Sequence, residues 1–433
     1  MAEAKTPGRL LARAYAENPN LPIKTCHIGH DAAATLGSFA AAECGGACLV
    51  VSDENTRGAA GEKVFEALTT AGKSIREQVY PAAPLDATEE LGDEVAELGK
   101  DRDFIVAIGA GTLSDLAKHA GTKLKIPVLL YATAASMNGY TSGITAVKVR
   151  GLKRTVPCTP AWAVFADPEV VARAPQRMSA AGVADFLSKC SAGADWRVAG
   201  ILRDEYYDEN ALQFYDGALD NVLDCAERVG KGEAEAAAIT LEALLLSGLS
   251  MLVAGSSSPA SGGEHLISHY IDMKAALYGT PHDLHGIQVG VGTLYCLGLW
   301  ENVLGIRPAQ MDLDALLEIQ PTDDQVAAWA TEDWGERVAA EVLAQWRQKS
   351  RSRDEMRGEL ARFRDNIASI RKAAGKDLLP AETVAHAIQA SGGPTTPEGM
   401  NAPLEEYHKA LKRARFIRSR FTVLDLAAEL GIG

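Results

Sequence analysis

The first 167 residues alternate short, continuous apolar runs with amphipathic stretches. Four of the runs are rich in β-branched and aliphatic residues: ACLVVSD (47–53), DFIVAIG (103–109), IPVLLYAT (126–133) and AWAVFAD (161–167). Runs of this length are typical of strands buried on both faces of a parallel sheet. Stretches between them, at 61–72 and 87–100, have the apolar spacing of helices. This alternation predicts an α/β domain with an open parallel sheet and flanking helices.

The pattern changes after Asp167. Long stretches rich in Ala, Leu and Glu follow, and they contain no strong strand candidate. Residues 320–376 are highly charged and predict solvated helices, and residues 389–400 form a turn-rich break. Residues 143–160 alternate on both sides of a glycine, which predicts a hairpin. We therefore expect two domains: residues 1–167 as the α/β domain and residues 168–433 as an all-α bundle.

Composition narrows the classes of function. The chain is 47% apolar and 23% charged, which is typical of a globular protein. A formal charge of −14 argues against nucleic acid or an anionic membrane as a partner. No apolar run approaches the roughly 18 residues of a membrane span, and the first residues lack the apolar core of a signal peptide, so we expect a cytoplasmic protein. Seven cysteines include no CxxC pair, so neither a disulfide framework nor a thiolate zinc site is indicated.

Four of the nine histidines fall between residues 261 and 286: His265, His269, His282 and His285. Imidazoles bind metals near neutral pH, so the cluster suggests a metal site or a proton relay. A simpler alternative is a half-buried polar contact between His265 and His269, which are four residues apart on one helical face. Asp185 and Lys189 share another, largely apolar helical face, where a carboxylate needs a partner. One carboxylate and two imidazoles would leave open positions on zinc or a similar divalent cation.

A second group of signals indicates a nucleotide site. FIVAIGAGTLSDLAKH places a glycine-rich turn between a strand and a helix, and there Gly109, Gly111 and Thr112 could face a pyrophosphate closely. Asp53 ends another strand, where its carboxylate could accept hydrogen bonds from a ribose diol and favour NAD, or could simply cap a helix. The loop YATAASMNGYTSG (131–143) is rich in polar residues and could line a ligand crevice.

Six motifs in chain order resemble those of the sn-glycerol-1-phosphate dehydrogenases, most of all the bacterial branch often called AraM-like. The six are GAGTLSD, TAASMNGYTSG, MSAAGVADFLSK, GGEHLISH, LHGIQVGVG and RARFIRSRFTVLDLAAELG. The branch lies within the superfamily of iron-containing alcohol dehydrogenases and dehydroquinate synthases. The resemblance implies the dehydroquinate synthase-like fold, with a dinucleotide-binding α/β domain followed by a helical domain that binds metal and substrate.

The resemblance also implies roles for individual residues. Asp185, His265 and His285 match metal ligands, with zinc expected and nickel or iron as alternatives. His269 matches a substrate contact, and either His269 or a metal-bound water is the candidate proton relay, whereas His282 matches no role. The cofactor, NAD with NADP as the alternative, is carried over onto nine positions: Asp53, Gly109, Ala110, Gly111, Thr112, Leu113, Thr133, Ser136 and Ser142.

The implied reaction is reversible hydride transfer between a nicotinamide and C2 of a phosphorylated three-carbon substrate, which interconverts dihydroxyacetone phosphate and sn-glycerol 1-phosphate in a homo-oligomer. Lys189 replaces the third histidine ligand of simple alcohol dehydrogenases and could help to position an anion. The loop departs from the family pattern PSMDGYTS at Ala135 and at Asn138, where the family has a substrate-contacting aspartate. A related phosphorylated ketose or polyol is therefore a second candidate substrate.

Two other functions are compatible with the same features. A carbocycle-forming synthase of the dehydroquinate synthase type would share the fold, NAD and the metal, but would regenerate its cofactor in every turnover. A non-catalytic metabolite-binding protein is suggested only by the altered loop. Net consumption of NADH separates a dehydrogenase from both alternatives.

Overall fold

The computed structural model describes residues 6–82, 85–149 and 152–432. The strands are β1 (Thr25–Ile28), β2 (Ala47–Asp53), β3 (Ser74–Tyr80), β4 (Phe104–Gly109), β5 (Val128–Ala132), β6 (Ile144–Val149), β7 (Leu152–Pro157) and β8 (Ala163–Ala166). The first eight α-helices are α1 (Arg9–Glu17), α2 (Ala32–Glu43), α3 (Glu54–Thr56), α4 (Glu62–Thr70), α5 (Glu89–Gly99), α6 (Gly111–Leu124), α7 (Pro168–Ala172) and α8 (Gln176–Leu187). The remaining α-helices are α9 (Lys189–Arg203), α10 (Glu209–Gln213), α11 (Ala218–Gly230), α12 (Ala234–Ala254), α13 (Gly263–Tyr278), α14 (His285–Gly305), α15 (Leu313–Glu318), α16 (Asp323–Lys349), α17 (Arg353–Ala374), α18 (Ala381–Ala390), α19 (Leu404–Arg413) and α20 (Val423–Glu429).

The chain forms two compact units. Unit 1 comprises the chain up to Phe186 together with Gln213–Gly255 and Ala390–Gly393. Unit 2 comprises Leu187–Leu212, Ser256–Gln389 and the chain from Pro394 onward. The units do not follow the change of sequence pattern at Asp167, because α7 and α8 and the later helices α11 and α12 belong to the unit that holds the sheet. The division into residues 1–167 and 168–433 stays a prediction.

Unit 1 is built around a six-stranded parallel sheet in the order β1-β8-β5-β4-β2-β3. The four strands predicted from apolar runs are its four central strands, and the predicted parallel α/β architecture is confirmed. Side chains such as Val50, Val106, Leu129 and Phe165 are buried in its core. The two edge strands were not predicted from the sequence. Strand β1 has only four residues, and β3 has the sequence SIREQVY, with exposed polar positions.

The predicted hairpin is present as the antiparallel pair β6 and β7, with Ile144 opposite Pro157. Its turn, residues 150 and 151, lies outside the described residues. The hairpin follows the polar loop after β5 and precedes β8. It therefore separates that loop from the last strand of the parallel sheet.

Helix α12 corrects the expectation that no apolar run approaches the length of a membrane span. It is 21 residues long with a mean hydropathy of 1.9, so by length and composition it could cross a membrane. In the structure 89% of that apolar window is buried, and the helix packs against α1, α7 and α11. The apolar run therefore serves as the core of unit 1.

Unit 2 is helical in its described residues, as the sequence predicts. Helices α13 and α14 pack against each other and bury Tyr270 and Trp300 almost completely. The charged stretch 320–376 forms α16 and α17, which begin at capping boxes made by Thr322 and Ser352. In this unit α13 and α14 also carry the histidine cluster.

Candidate active site

Three of the four clustered histidines meet in unit 2. His265 and His269 lie one turn apart on α13, and His285 is the first residue of α14. The ring centroids of His265 and His285 are 5.1 Å apart, and those of His269 and His285 are 5.5 Å apart. His265 is buried with 4% of its surface exposed. The simpler alternative was a half-buried contact between His265 and His269 alone. In the structure these two residues belong to a cluster of three rings.

Two of these rings are oriented through Nδ1. His265 Nδ1 lies 2.9 Å from Oε1 of Glu264, and His285 Nδ1 lies 3.0 Å from Oγ of Ser268. The Ser268 hydroxyl is itself positioned by Gln288, whose Nε2 donates to it over 2.9 Å. Occupied Nδ1 atoms direct Nε2 of both rings toward a ligand, and this is how proteins commonly prepare histidines for a metal.

Glu264 anchors the His265 side of the cluster. Its fully buried carboxylate also accepts a hydrogen bond from the Gly262 amide over 2.7 Å. Burial alone would raise the pKa of Glu264, but the hydrogen bonds from His265 and Gly262 lower it, so the carboxylate is held ionised. The sequence analysis did not single out Glu264, although its place directly before His265 was a usable signal.

Asp272 forms a second polar group beside the cluster. Metal-ligating atoms of His269, Asp272 and His285 all lie within 4.8 Å of one another. His282, which matched no role in the sequence, has its Nδ1 3.5 Å from Asp272 Oδ1. Burial, followed by the nearby Arg418, lowers the pKa of His269 well below its usual value. His269 is therefore held in its neutral form.

Asp185 and Lys189 lie on either side of the point in the sequence where the chain passes from unit 1 to unit 2. Asp185 is in the last turn of α8 and belongs to unit 1, whereas Lys189 begins α9 in unit 2. Both side chains are fully buried, and Lys189 Nζ donates to Ser188 Oγ over 3.1 Å. Burial of a charge is costly unless it is paired, and the two side chains are of the types that bind metals and anions.

The glycine-rich turn of unit 1 joins β4 to α6. Gly109 ends the strand, Ala110 is the N-cap, and no side chain of this cap occupies the first amides of the helix. A Cβ on Gly109 would clash with the side chain of Leu113. The backbone amides at Gly111 and Thr112 begin a 14-residue helix, and such a helix start attracts phosphate.

The order of strands places this turn at a switch point of the sheet. The chain runs outward from β2 to β3, then returns across β2 to β4, so connections leave β2 and β4 in opposite directions. Asp53 ends β2, Gly109 ends β4 and Thr133 follows β5. Open parallel sheets bind their ligands at this kind of crevice.

Asp53 also serves the structure. Its Oδ1 accepts a hydrogen bond from the Thr56 amide over 2.7 Å, and the Thr56 hydroxyl accepts one from the Asp53 amide over 3.0 Å. The helix-cap alternative of the sequence analysis is therefore realised. A ribose contact by the same carboxylate stays a prediction.

The polar loop after β5 is held by bonds within unit 1. Tyr140 donates its hydroxyl to the Ala134 carbonyl over 2.7 Å, and Thr141 donates to the Leu245 carbonyl of α12 over 2.7 Å. Lys118, which the sequence analysis did not identify, is fully buried and donates to the carbonyls of Gly139 and Ile144, both over 2.7 Å. The loop is thus fixed at both ends before any ligand binds.

Two candidate positions in this loop differ in their surroundings. Ser142 is fully buried and donates its hydroxyl to the carbonyls of Gly139 and Ile144, each over 3.1 Å. Ser136 is half-buried. Asn138 donates its amide to Ser247 on α12 over 3.2 Å. The hydrogen bonds of Ser142 are within the loop, which favours a positioning role for it.

Two glycines let helices approach the loop closely. A Cβ on Gly248 of α12 would clash with Thr141 Oγ1 and with the carbonyl oxygen of Asn138. A Cβ on Gly182 of α8 would clash with the carbonyl oxygen of Ala135. The loop therefore lies between two helices at positions that have no room for a side chain.

Comparison with known proteins identifies the family. Residues 27–175 match the model of the iron-containing alcohol dehydrogenases. The glycerol-1-phosphate dehydrogenase [NAD(P)+] of Bacillus licheniformis is 32% identical over 287 residues, which cover 65% of this chain and 72% of the relative. The chain belongs to the glycerol-1-phosphate dehydrogenase family. A further member, from Geobacillus stearothermophilus, is 28% identical over 418 residues, covering 95% of this chain and 94% of the relative.

Solved structures show the fold that this glycerol-1-phosphate dehydrogenase family member shares with others. Alcohol dehydrogenase from Oenococcus oeni superposes with a TM-score of 0.56 at 15% identity, over 94% of this chain and 97% of that one. Glycerol dehydrogenase from Schizosaccharomyces pombe gives a TM-score of 0.52 at 17% identity, over 93% of both chains. The expected family and fold are thereby confirmed.

Proposed function

We propose that this protein interconverts dihydroxyacetone phosphate and sn-glycerol 1-phosphate by hydride transfer to and from a nicotinamide, with one divalent cation bound. The named activity of its relatives supports the reaction, since one of them is matched over 94% of its length. The observation that carries the proposal is the cluster of His265, His269 and His285, with two rings oriented through Nδ1.

For the cation we propose Asp185, His265 and His285 as ligands. One carboxylate and two imidazoles suit zinc, with nickel and iron as alternatives, and leave coordination positions open. The Nδ1 contacts with Glu264 and Ser268 support this choice, because histidines that bind metals commonly have their other ring nitrogen held by such a partner. When bound, the cation would act as a Lewis acid on the C2 oxygen of the substrate.

The remaining polar residues would bind and orient the substrate. Lys189 carries a buried ammonium suited to an anionic substrate. His269 would relay a proton at the C2 oxygen as a neutral ring, in which one nitrogen carries a proton and the other accepts a hydrogen bond, because burial lowers its pKa. Asn138 offers a donor and an acceptor where the family has an aspartate. A related phosphorylated ketose or polyol is the alternative substrate at this position.

For the cofactor we propose that the start of α6 binds the pyrophosphate and that Asp53 meets the adenosine ribose. The turn 109–113 supports the first contact, because its helix start has no side-chain cap. A carboxylate near the 2′ position repels a phosphate there, so NADH would be preferred over NADPH. Thr133, Ser136 and Ser142 would complete the cofactor site, Ser142 by positioning the loop. We further propose that the protein is cytoplasmic and acts as a homo-oligomer.

The decisive test is the absorbance of NADH when metal-loaded protein is mixed with dihydroxyacetone phosphate. Stoichiometric loss of NADH, abolished by a chelator and restored by zinc, nickel or iron, is expected. The matched arm uses unphosphorylated dihydroxyacetone, which should react far more slowly. Binding of the ketone without net oxidation of NADH would contradict the proposal and favour a synthase or a binding protein.

A further inference from the structure

Unit 2 contains a cavity of about 590 Å³ that the proposed reaction does not use. Side chains from α14, α16, α19 and α20 and from the turn 414–417 form most of its wall. The lining residues are Tyr295, Leu299, Ile319, Pro321, Gln325, Trp329, His408, Leu411, Lys412, Arg415, Phe416, Leu424, Ala427, Ala428 and Ile432. Ligand sites commonly fall between about 300 and 1,000 Å³, so the cavity has the size of a small-molecule site.

The wall has two kinds of surface. Most of it is apolar or aromatic, with Leu299, Trp329, Phe416 and Leu424 as the large contributors. The charged residues of the wall are both cationic, Lys412 and Arg415, and they lie among the neutral polar residues Tyr295, Gln325 and His408. Among the described lining residues none is acidic, although the whole chain carries a formal charge of −14. The cavity therefore favours an occupant with one apolar and one anionic part.

Arg415 is the most informative of these residues. Its side chain is 5% exposed, and in the described part of the chain it makes no hydrogen bond or ion pair. It is held instead by aromatic rings: its Cζ lies 4.7 Å from the ring centroid of Phe416 and 5.8 Å from that of Trp346. Arginine is rarely buried unless it is paired, so its N–H groups indicate a missing acceptor.

The nearest carboxylates do not fill that place. Asp425 and Glu429 attract the Arg415 charge from a distance. Asp425 lies 2.8 Å from Lys349 Nζ, and Glu429 lies 2.8 Å from Arg203 Nη2. Because both carboxylates already bind other cations, Arg415 keeps its N–H groups for a ligand.

We propose that this cavity binds a small amphiphilic anion, whose carboxylate or phosphate group meets Arg415 and Lys412 while its apolar chain lies against Trp329, Phe416 and Leu424. The planar guanidinium pairs with either acid through two parallel hydrogen bonds. The apolar wall selects for a hydrocarbon chain or ring. This site is independent of the proposed dehydrogenase reaction.

Calorimetric titration of the full-length, metal-loaded protein tests the site. Decanoate and decyl phosphate, each below its micelle concentration, should bind saturably at one site per chain. Decanol, which has the same chain without the charge, should bind at least about tenfold more weakly, as should inorganic phosphate. The tighter of the two anions identifies the preferred acid group. Equal affinity for decanol, or no saturable binding of either anion, would overturn the proposal.

Three variants locate the binding. Arg415→Met keeps an unbranched apolar stem but removes the guanidinium group and its charge, and should weaken anion binding about tenfold or more. Ala428→Trp fills the cavity from a half-buried position without changing any charge, and should abolish binding even if Arg415→Met fails to fold. Lys409→Gln is the matched control, because Lys409 lies on α19 near Lys412 but does not line the cavity. Undiminished binding by folded Ala428→Trp would place the ligand elsewhere and refute the site.

Discussion

The polar loop and turn of unit 1 and the histidine cluster of unit 2 are constructed in opposite ways. In unit 1 the candidate ligand-binding groups are mainly backbone amides and carbonyls, and glycines stand at 109, 182 and 248, where a Cβ would clash with a neighbouring group. In unit 2 the groups are three imidazoles, and those of His265 and His285 are oriented by Glu264 and Ser268. The first kind of site fails when volume is added, and the second fails when a hydrogen-bond partner is removed.

The largest expected effect is on the side-chain site. His285→Ala should lose both bound metal and NADH-dependent activity while keeping the fold, because it removes one of three proposed ligands. Elemental analysis and circular dichroism are the measurements. His282→Ala is the matched control, since His282 is 42% exposed and lies near Asp272, and it should keep its metal. Full metal occupancy in His285→Ala would disprove the ligand assignment.

Adding one methyl group should break the backbone site. Gly248→Ala places a Cβ against Thr141 and the Asn138 carbonyl. We therefore expect the free energy of unfolding to fall by about 3 kcal/mol and the melting temperature to fall by roughly 5–10 °C. NADH affinity should fall while metal content stays constant. Gly298→Ala is the control, because its Cβ would meet nothing within 4 Å and should raise stability slightly. Equal melting temperatures for Gly248→Ala and Gly298→Ala would contradict this prediction.

Removing the partner of a ligand tests the other half of the comparison. Glu264→Gln should lower metal affinity about 10–100-fold, because the amide cannot replace the buried carboxylate that holds His265. Ser268→Ala should cost less, since it removes a neutral partner from His285. Competition with a chelator measures both. A larger loss in Ser268→Ala would contradict this ranking.

Asn138 is a candidate substrate contact through its side chain, although it lies in the loop of unit 1 whose other candidate groups are mainly on the backbone. Asn138→Asp should raise kcat/KM for dihydroxyacetone phosphate by roughly one to two decades if the missing charged contact limits the reaction. Initial rates with saturating NADH provide the measurement. A decrease would show that the amide is adapted to this substrate.

The smallest effect is expected at Asp53. Asp53→Ser keeps a helix-capping oxygen but removes the charge, so the ratio of kcat/KM for NADH to that for NADPH should shrink. Because Ser also caps α3, the melting temperature should change little. Equal efficiency with both cofactors in the unaltered protein would remove the basis for this prediction.

Much of the fold could be predicted because its signals are local. The central strands β2, β4, β5 and β8 are covered on both faces and therefore appear as continuous apolar runs. The edge strands β1 and β3 could not be found in this way, since half of their residues face solvent or are polar. The apolar character of α12 reflects its position in the core, and this depends on packing with helices distant in sequence.

The candidate site was predictable only in part, because only contacts between residues close in sequence leave a visible pattern. His265, His269 and His285 lie within 21 residues of each other, so their grouping is visible in the sequence. The role of Lys118 depends on carbonyls more than 20 residues away, and the roles of Gly182 and Gly248 depend on the path of the loop. Arg415 lies in the last of the six motifs, but nothing there distinguishes it from the neighbouring arginines, because its burial and its neighbours can be recognised only in the structure.

The discontinuous course of unit 1 has a consequence for biosynthesis. The sheet is complete once β8 has been made, yet its unit also needs α12, which ends at Ala254. A ribosome adding about 5–20 residues per second needs roughly 3–14 s to pass from residue 186 to residue 255. Throughout that interval α1 and α7 expose the surface that α12 later covers. Chaperone capture should therefore peak in this window, and polypeptides that stop near residue 186 should aggregate on release.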